Sequence, residues 1–369
     1  MTPDYSFIDT EDAFQALIGL TPRMLGFDTE FTRERTFKPI PELLQVTVDD
    51  RIVIIDLRAG LPIERIKDWF QHDGVVRVAH SISNDVEVLD KIFDDEIGVI
   101  EDTQLALAFL QAGQMQSYAK LVKREFGVTL DKSLQRSRWS SRPLSIAQLE
   151  YAALDIAHLN DLWLVLEEQL QATGRLDWYQ EERQRLQGPN AQDPNLVAGN
   201  ANRLMRLSER GLQFLMLLDA WRTKRASSMD IPKNWILSRE QLFQLANERS
   251  LTDQAMRKAL SAKQVVRHRR KLQALHRRAQ HASQKCEPLA PKQLRKTVRT
   301  LGEQCNALAD QLNISHEVLG SNKDLLFAIR AYLSDGKLPS WFGNWRTELI
   351  GEATQKAADK LAREISIAT

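Results

Sequence analysis

Two carboxylates stand two residues apart inside an apolar run, Met24-Leu25-Gly26-Phe27-Asp28-Thr29-Glu30-Phe31, which reads as a buried strand. Side chains alternate across a strand, so Asp28 and Glu30 share one face while Phe27, Thr29 and Phe31 take the other. Two anions held this close repel, and they stay ionised only with positive charge between them. A divalent cation is the simplest source of that charge.

Matching groups follow along the chain. Val75-Val76-Arg77-Val78-Ala79 reads as a second buried strand, and the polar turn His80–Asn84 leads into a helix that opens with Asp85. Around Gln148–Ile156 the period becomes helical, with Leu149, Ala152, Ala153, Ile156 and Trp163 on one apolar stripe. Tyr151 and Asp155 lie beside that stripe at i, i+4, which directs a phenol and a carboxylate together. Four carboxylates on three elements suit two-metal phosphodiester hydrolysis, in which two hard cations about 3.5–4 Å apart clamp the attacking and leaving oxygens. Mg²⁺ and Mn²⁺ both accept such oxygen ligands. Tyr151 is not expected to act as a simple base, because a phenol with a pKa of about 10 yields little phenolate at neutral pH. His80 is expected in a loop near the site and His158 on an exposed helical position.

The order Asp-x-Glu, Asp, Tyr-x-x-x-Asp resembles the DEDD exonucleases, in the subclass with tyrosine before the last aspartate. Further segments narrow the resemblance to the ribonuclease D family: Phe27–Phe31, Thr36–Pro39, Leu43–Val46, Asp102–Leu105, and the stretch from Gly127 through Asp131–Ser133, Ser137–Trp139 and Arg142–Leu144 to Tyr151. Ser81-Ile82-Ser83-Asn84, ahead of Asp85, departs from that pattern. The resemblance implies that Asp28 bridges two divalent cations, that Glu30 and Asp155 complete the first site, that Asp85 holds the second largely through water, and that Tyr151 orients the attacking water. It implies an α/β ribonuclease H-like domain, a mixed sheet flanked by helices, followed by two small all-α HRDC-type domains. The implied activity is a 3′-to-5′ exoribonuclease releasing 5′-mononucleotides, acting in the 3′ maturation of tRNA precursors. A DNA 3′-to-5′ exonuclease with the same acids and an inactive nucleic-acid-binding scaffold stand as alternatives, since sugar preference depends on how a site meets the 2′-OH.

The near-neutral total conceals an asymmetry: residues 1–187 carry 20 Lys and Arg against 32 Asp and Glu, and residues 188–369 carry 30 against 17. An acidic half that must attract a polyanion needs cations and a basic companion. At 369 residues the chain exceeds one ordinary core. A nuclease domain is expected over 1–187, a turn-rich linker from Gly188-Pro189 onward over 188–202, an HRDC domain over 203–283 and a second HRDC-like domain over 290–369. In the HRDC region the resemblance rests on the Trp221-Arg222 pair, Ile231-Pro232-Lys233-Asn234-Trp235 and Trp341–Arg346, with Trp221 expected in the core. From Gln254 to Cys286 there is no acid, while ten Lys and Arg occur, and such one-sided charge is better matched to RNA than to solvent. Arg267, Arg270, Lys271 and Arg277 are therefore candidate RNA contacts. In the nuclease half, Arg33, Arg35, Lys38, Lys132, Arg138 and Arg142 are expected to grip the last phosphates, and Phe31 to stack on a terminal base.

The N-terminal residues show neither a basic n-region nor an apolar h-region, and no run is long enough to span a membrane, so a cytoplasmic protein is expected. Cys286 and Cys305 lie far apart without metal-ligand spacing and are expected as reduced thiols. A monomer is expected, because linked domains already give multivalent contact.

Overall fold

The computed structural model describes residues 3–83, 85–93, 98–113, 115–187, 201–283 and 291–366. Most of the expected linker, residues 188–200, and Cys286 lie outside the described residues. The chain divides into two compact units, 1–187 and 188–369.

The first unit runs β1 (Tyr5–Ile8), α1 (Glu11–Ile18), β2 (Met24–Thr32), β3 (Ile40–Val48), β4 (Arg51–Asp56), α2 (Glu64–Phe70), β5 (Val76–Ala79), α3 (Asp85–Phe93), β6 (Ile100–Asp102), α4 (Thr103–Ala108), α5 (Tyr118–Phe126), α6 (Ile146–Leu154), α7 (Leu159–Ala172) and α8 (Leu176–Gln187). The sheet order is β1-β4-β3-β2-β5-β6. β2, β3 and β4 are antiparallel, and β1, β5 and β6 join as parallel strands. The β3–β4 hairpin turns at Asp49, whose φ of 53° a short Asp side chain tolerates.

One sheet face is packed by Leu25, Phe27, Leu44, Val46 and Ile55 against residues of α1, α2 and α3, where Phe70 sits edge-on to Phe27 with centroids 5.1 Å apart. On the other face Leu43 and Ile54 meet Trp139, Tyr151, Ala152 and Ala153. Asp28 and Glu30 belong to this second face, because they pair across β3 with Gln45 and Leu43. α7 can approach β2 because residue 26 is glycine. A Cβ there would lie 2.5 Å from Thr47 Oγ1, 2.8 Å from Asn160 Oδ1 and 2.9 Å from Leu159 Cβ. The Gly26 N–H also donates to Thr47 Oγ1 at 2.9 Å.

The second unit is helical: α9 (Ala201–Leu204), α10 (Glu209–Ser228), α11 (Lys233–Ile236), α12 (Arg239–Asn247), α13 (Asp253–Ala259), α14 (Ala262–Ser283), α15 (Pro291–Leu312), α16 (His316–Gly320), α17 (Asn322–Asp335), α18 (Asn344–Arg346) and α19 (Glu352–Ser366). Ser208, Ser238 and Thr252 cap α10, α12 and α13 by accepting from the first-turn amides. Arg222 is buried, donating to the Leu237 carbonyl at 3.1 Å and pairing with Asp219. Trp221 is half-buried, edge-on to His268 at 5.2 Å. In α15 the buried stripe is Leu294, Val298, Leu301, Cys305 and Ala309, so Leu308 and Leu312 flank the core rather than fill it. Burial raises the Cys305 thiol to about 11, leaving it a small apolar filler.

Candidate active site

Each carboxylate reaches the site from a different kind of local structure. Asp28 and Glu30 project from the middle of the sheet, Asp85 is the first residue of α3 just beyond β5, and Asp155 is the C-cap of α6. α6 is set by a capping box, in which Ser145 accepts from the Gln148 amide and the Gln148 side chain accepts from the Ser145 N–H. The apolar stripe reaching to Trp163 is thus shared by two helices broken at Asp155, although the Asp155 N–H still bonds the Tyr151 carbonyl at 3.1 Å. That bond preserves the i, i+4 relation of the two side chains.

One carboxylate oxygen from each of Asp28, Glu30 and Asp155 lies within 4.8 Å of the others. Thr29, reaching from the opposite side of β2, donates its hydroxyl to Asp85 Oδ1 at 2.6 Å. Burial, reinforced by the charges of Asp85, Asp155 and Glu30, pushes Asp28 well above the ordinary carboxylate range. Burial together with Asp155 and Asp85 pushes Glu30 to about 9. Asp85 rises to about 6 through burial, with the Thr29 hydrogen bond opposing the rise. Asp155 also rises to about 6 through burial, opposed by the Tyr151 hydroxyl and the Lys132 charge. Tyr151 is raised by burial and by Asp155, so its hydroxyl keeps its proton and donates to Asp155.

A buried, mutually repelling, all-oxygen donor set fits a hard divalent cation, which would neutralise the cluster that burial otherwise drives towards protonation. His80 is placed near the site, as expected, but its nitrogens are already engaged: Nδ1 lies 2.9 Å from Thr103 Oγ1 and Nε2 3.1 Å from the Gln116 carbonyl. His158 departs from its expected exposed helical position. It sits half-buried in the turn before α7, stacked on Phe126 with centroids 5.1 Å apart, because the chain breaks there and packs inward.

The four acids and Tyr151 line a cleft of about 550 Å³, shared with Phe31, Lys132, Gln135, Arg136 and Tyr118. Phe31 was expected on the face opposite the carboxylates. The β2–β3 register shifts between Glu30 and Phe31, and beyond that shift Phe31 enters the cleft. Lys132 lines the cleft, while Arg35, Lys38 and Arg138 are exposed outside its lining. Arg33 pairs with Glu87 on α3, its guanidinium 5.9 Å from the Phe31 ring centre.

Arg142 is a correction. Its Nε and one terminal nitrogen each donate at 2.7 Å to the two oxygens of Asp56, and the remaining donors reach the Glu42, Trp139 and Ser141 carbonyls. With its guanidinium committed to the fold, it has no hydrogen-bonding capacity left for phosphate. Arg136 and Gln135, in the turn that follows Lys132, also line the cleft.

In the second unit, Val265, His268, Leu272, Leu275, His276 and Ala279 form the buried side of α14, and Lys263, Arg267, Arg270, Lys271, Arg277 and Arg278 are exposed on it. Arg269 is paired with Asp253 at 2.9 Å, and Lys258 of α13 with Glu248 at 3.1 Å.

The family pattern for 3′-5′ exonucleases matches residues 5–171, and that for the HRDC domain matches residues 212–275. The crystal structure of Escherichia coli RNase D, described as an exoribonuclease involved in structured RNA processing, superposes with a TM-score of 0.73 at 26% identity, covering 97% of this chain and 99% of that one. The chain is similar to ribonuclease D along nearly its whole length. Ribonuclease D of Escherichia coli is 27% identical over 364 residues, which is 95% of this chain and 97% of that protein. Ribonuclease D of Gluconacetobacter diazotrophicus is 32% identical over 248 residues, and that of Xanthomonas oryzae 36% identical over 235. Those two alignments span 66% and 61% of this chain and 63% and 62% of the relatives' lengths. The mixed sheet flanked by helices and the helical region after it match the fold of Escherichia coli RNase D.

Proposed function

We propose that this chain is a 3′-to-5′ exoribonuclease that removes 5′-mononucleotides from RNA 3′ ends, with tRNA precursors among its substrates. The observation that carries this reading is the meeting of Asp28, Glu30 and Asp155 within 4.8 Å in a ribonuclease D-type chain. Support for an RNA substrate comes from the Escherichia coli relative, which aligns over nearly the whole chain and carries the description of an exoribonuclease of structured RNA.

In this reading Asp28 and Glu30, with Asp155, hold one divalent cation, and Asp85 with Asp28 holds a second, either Mg²⁺ or Mn²⁺. Bound there, the cations supply charge neutralisation at the scissile phosphate and a readily ionised water. The chain does the rest. Tyr151, protonated and hydrogen-bonded to Asp155, orients the attacking water by its hydroxyl rather than by taking a proton. Lys132 and Arg136 offset the acidity of the cleft where the last phosphates would lie, and Phe31 offers a ring to the terminal base.

The cleft is in the range that accommodates a small-molecule-sized occupant, which suits the end of a single strand. The exposed basic residues of α14 would hold the body of a folded RNA through its phosphates. Residues 290–369 would form a second HRDC-like module. No helix among the described residues is long and apolar enough to cross a membrane. A cytoplasmic monomer is the form proposed.

The test is side-by-side degradation of a 3′-extended tRNA and a matched single-stranded DNA. Stepwise shortening of the RNA with slower loss of DNA is expected. Preference for DNA would overturn the substrate assignment, and degradation of neither would favour a binding scaffold.

A further inference from the structure

The geometry points to Asp102 as the positioning residue for Asp85. Asp102 ends β6 and does not line the cleft, yet its carboxylate accepts four backbone N–H groups. Two are the first-turn amides of α4, Gln104 at 2.8 Å and Leu105 at 3.3 Å, both on Oδ1. The other two come from the β5–α3 connection: Ser81 donates to Oδ1 at 3.0 Å and Ile82 to Oδ2 at 3.2 Å. Ser81 has φ of 66°, a left-handed conformation that a residue with a side chain adopts only when its surroundings hold it there. Successive N–H groups around such a residue converge on an anion, and the carboxylate of Asp102 supplies one.

The consequence reaches Asp85 through the backbone. The Ile82 carbonyl accepts from Val86 N–H at 3.0 Å, the bond that starts the helix on which Asp85 is the first residue. Asp102 thus fixes the donor side of the peptide unit whose neighbour starts α3. Thr103 adds a second tie, donating its hydroxyl to the Ala79 carbonyl at 3.1 Å. From the other side Thr29 donates to Asp85 at 2.6 Å. Asp85 is held between these ties.

This inference rests on the reading of Asp85 as a cation ligand, so Asp85→Asn is run beside it. The variant is Asp102→Asn. Asparagine still caps a helix through its carbonyl oxygen, so α4 keeps its cap, but its amide puts a donor where the Ile82 N–H needs an acceptor. The measurements are Mn²⁺ binding to RNA-free protein by calorimetry, kcat and KM on a 3′-ended RNA, and thermal melting.

Expected for Asp102→Asn is Mn²⁺ binding weakened roughly 10- to 100-fold at the Asp85-dependent site and a matching fall in kcat, with KM for RNA unchanged. Ser81→Gly in the Asp102→Asn background should recover part of both, because glycine adopts positive φ without help. Asp102→Ser, which also caps but lacks the second oxygen, should show the same division and serves if the asparagine variant does not fold. Normal Mn²⁺ binding and kcat in folded Asp102→Asn, with weakened binding in Asp85→Asn, would overturn the positioning role alone. Unchanged Mn²⁺ binding in Asp85→Asn would overturn the ligand assignment beneath it. Failure of Ser81→Gly to recover any Mn²⁺ affinity would also count against Asp102 acting through this turn.

Discussion

The hydroxyl of Thr29 lies 2.6 Å from Asp85 Oδ1, tying the strand that carries Asp28 and Glu30 to the helix that begins with Asp85. Thr29 reaches Asp85 from the side of β2 opposite the two acids, and it is buried, so water cannot replace it cheaply. Thr29→Val keeps the shape and removes the donor. A roughly 10- to 100-fold loss of kcat with an intact fold is expected, checked by single-turnover kinetics and circular dichroism. Unchanged kcat would mean that Asp85 needs no such anchor.

Removing one acid from the cluster should separate stability from activity. In Asp28→Asn a buried, repelled carboxylate becomes neutral, so the metal-free protein should melt at a higher temperature than the parent while nucleotide release is abolished. Asp155→Asn should lose activity likewise, with most RNA binding retained in both. Calorimetric melting in EDTA checks the first part, and a fall in melting temperature for Asp28→Asn would contradict the repulsion argument.

Tyr151→Phe removes a hydroxyl that donates to Asp155 without removing charge. Metal binding should persist while kcat falls roughly 10- to 100-fold. Turnover equal to the parent would shift the water-orienting role away from this residue.

Arg142 and Arg136 should behave oppositely. Arg142→Ala leaves Asp56, 5% exposed, without its two 2.7 Å donors, and a loss of about 1.5–3 kcal/mol in unfolding free energy is expected, read by urea denaturation. Because hydrogen bonds to Arg142 hold Asp56 below the usual carboxylate range, this contribution is present above the unfolded pKa and fades as pH falls through the lower folded value. Arg136→Ala should leave stability within about 0.5 kcal/mol and weaken RNA binding. A stable Arg142→Ala with impaired RNA affinity would reverse these assignments.

The strand alternation around Asp28 and Glu30, the helix start at Asp85 and the four-residue spacing of Tyr151 and Asp155 were legible because each is local. The misses were non-local. Arg142 read as a free cation because its partner Asp56 lies 86 residues earlier. Phe31 reaches the cleft beside a register irregularity that alternation alone does not reveal. The break at Asp155 was hidden because Ile156, Leu159 and Trp163 continue the apolar pattern across it, and the need for glycine at position 26 depends on Leu159 and Asn160 arriving from α7. Asp102 looked like part of a motif, and its grip on Ser81 and Ile82 appears only once β5 and β6 pair.

The basic face of α14 should act on folded RNA rather than on chemistry. Replacing Arg267, Arg270 and Arg277 by alanine should weaken binding of a structured RNA and reduce the salt slope by roughly 2–3, while cleavage of a short oligomer continues. Equal loss on both substrates would assign these side chains to stability.

The most direct test follows a 5′-labelled RNA with Mg²⁺, Mn²⁺ or EDTA, beside Asp28→Asn. A ladder that shortens by single nucleotides from the 3′ end with either cation, absent in EDTA and in Asp28→Asn, is the result expected of a cation-dependent exonuclease built on Asp28, Glu30, Asp85 and Asp155. Shortening that persists in EDTA or in Asp28→Asn would contradict it.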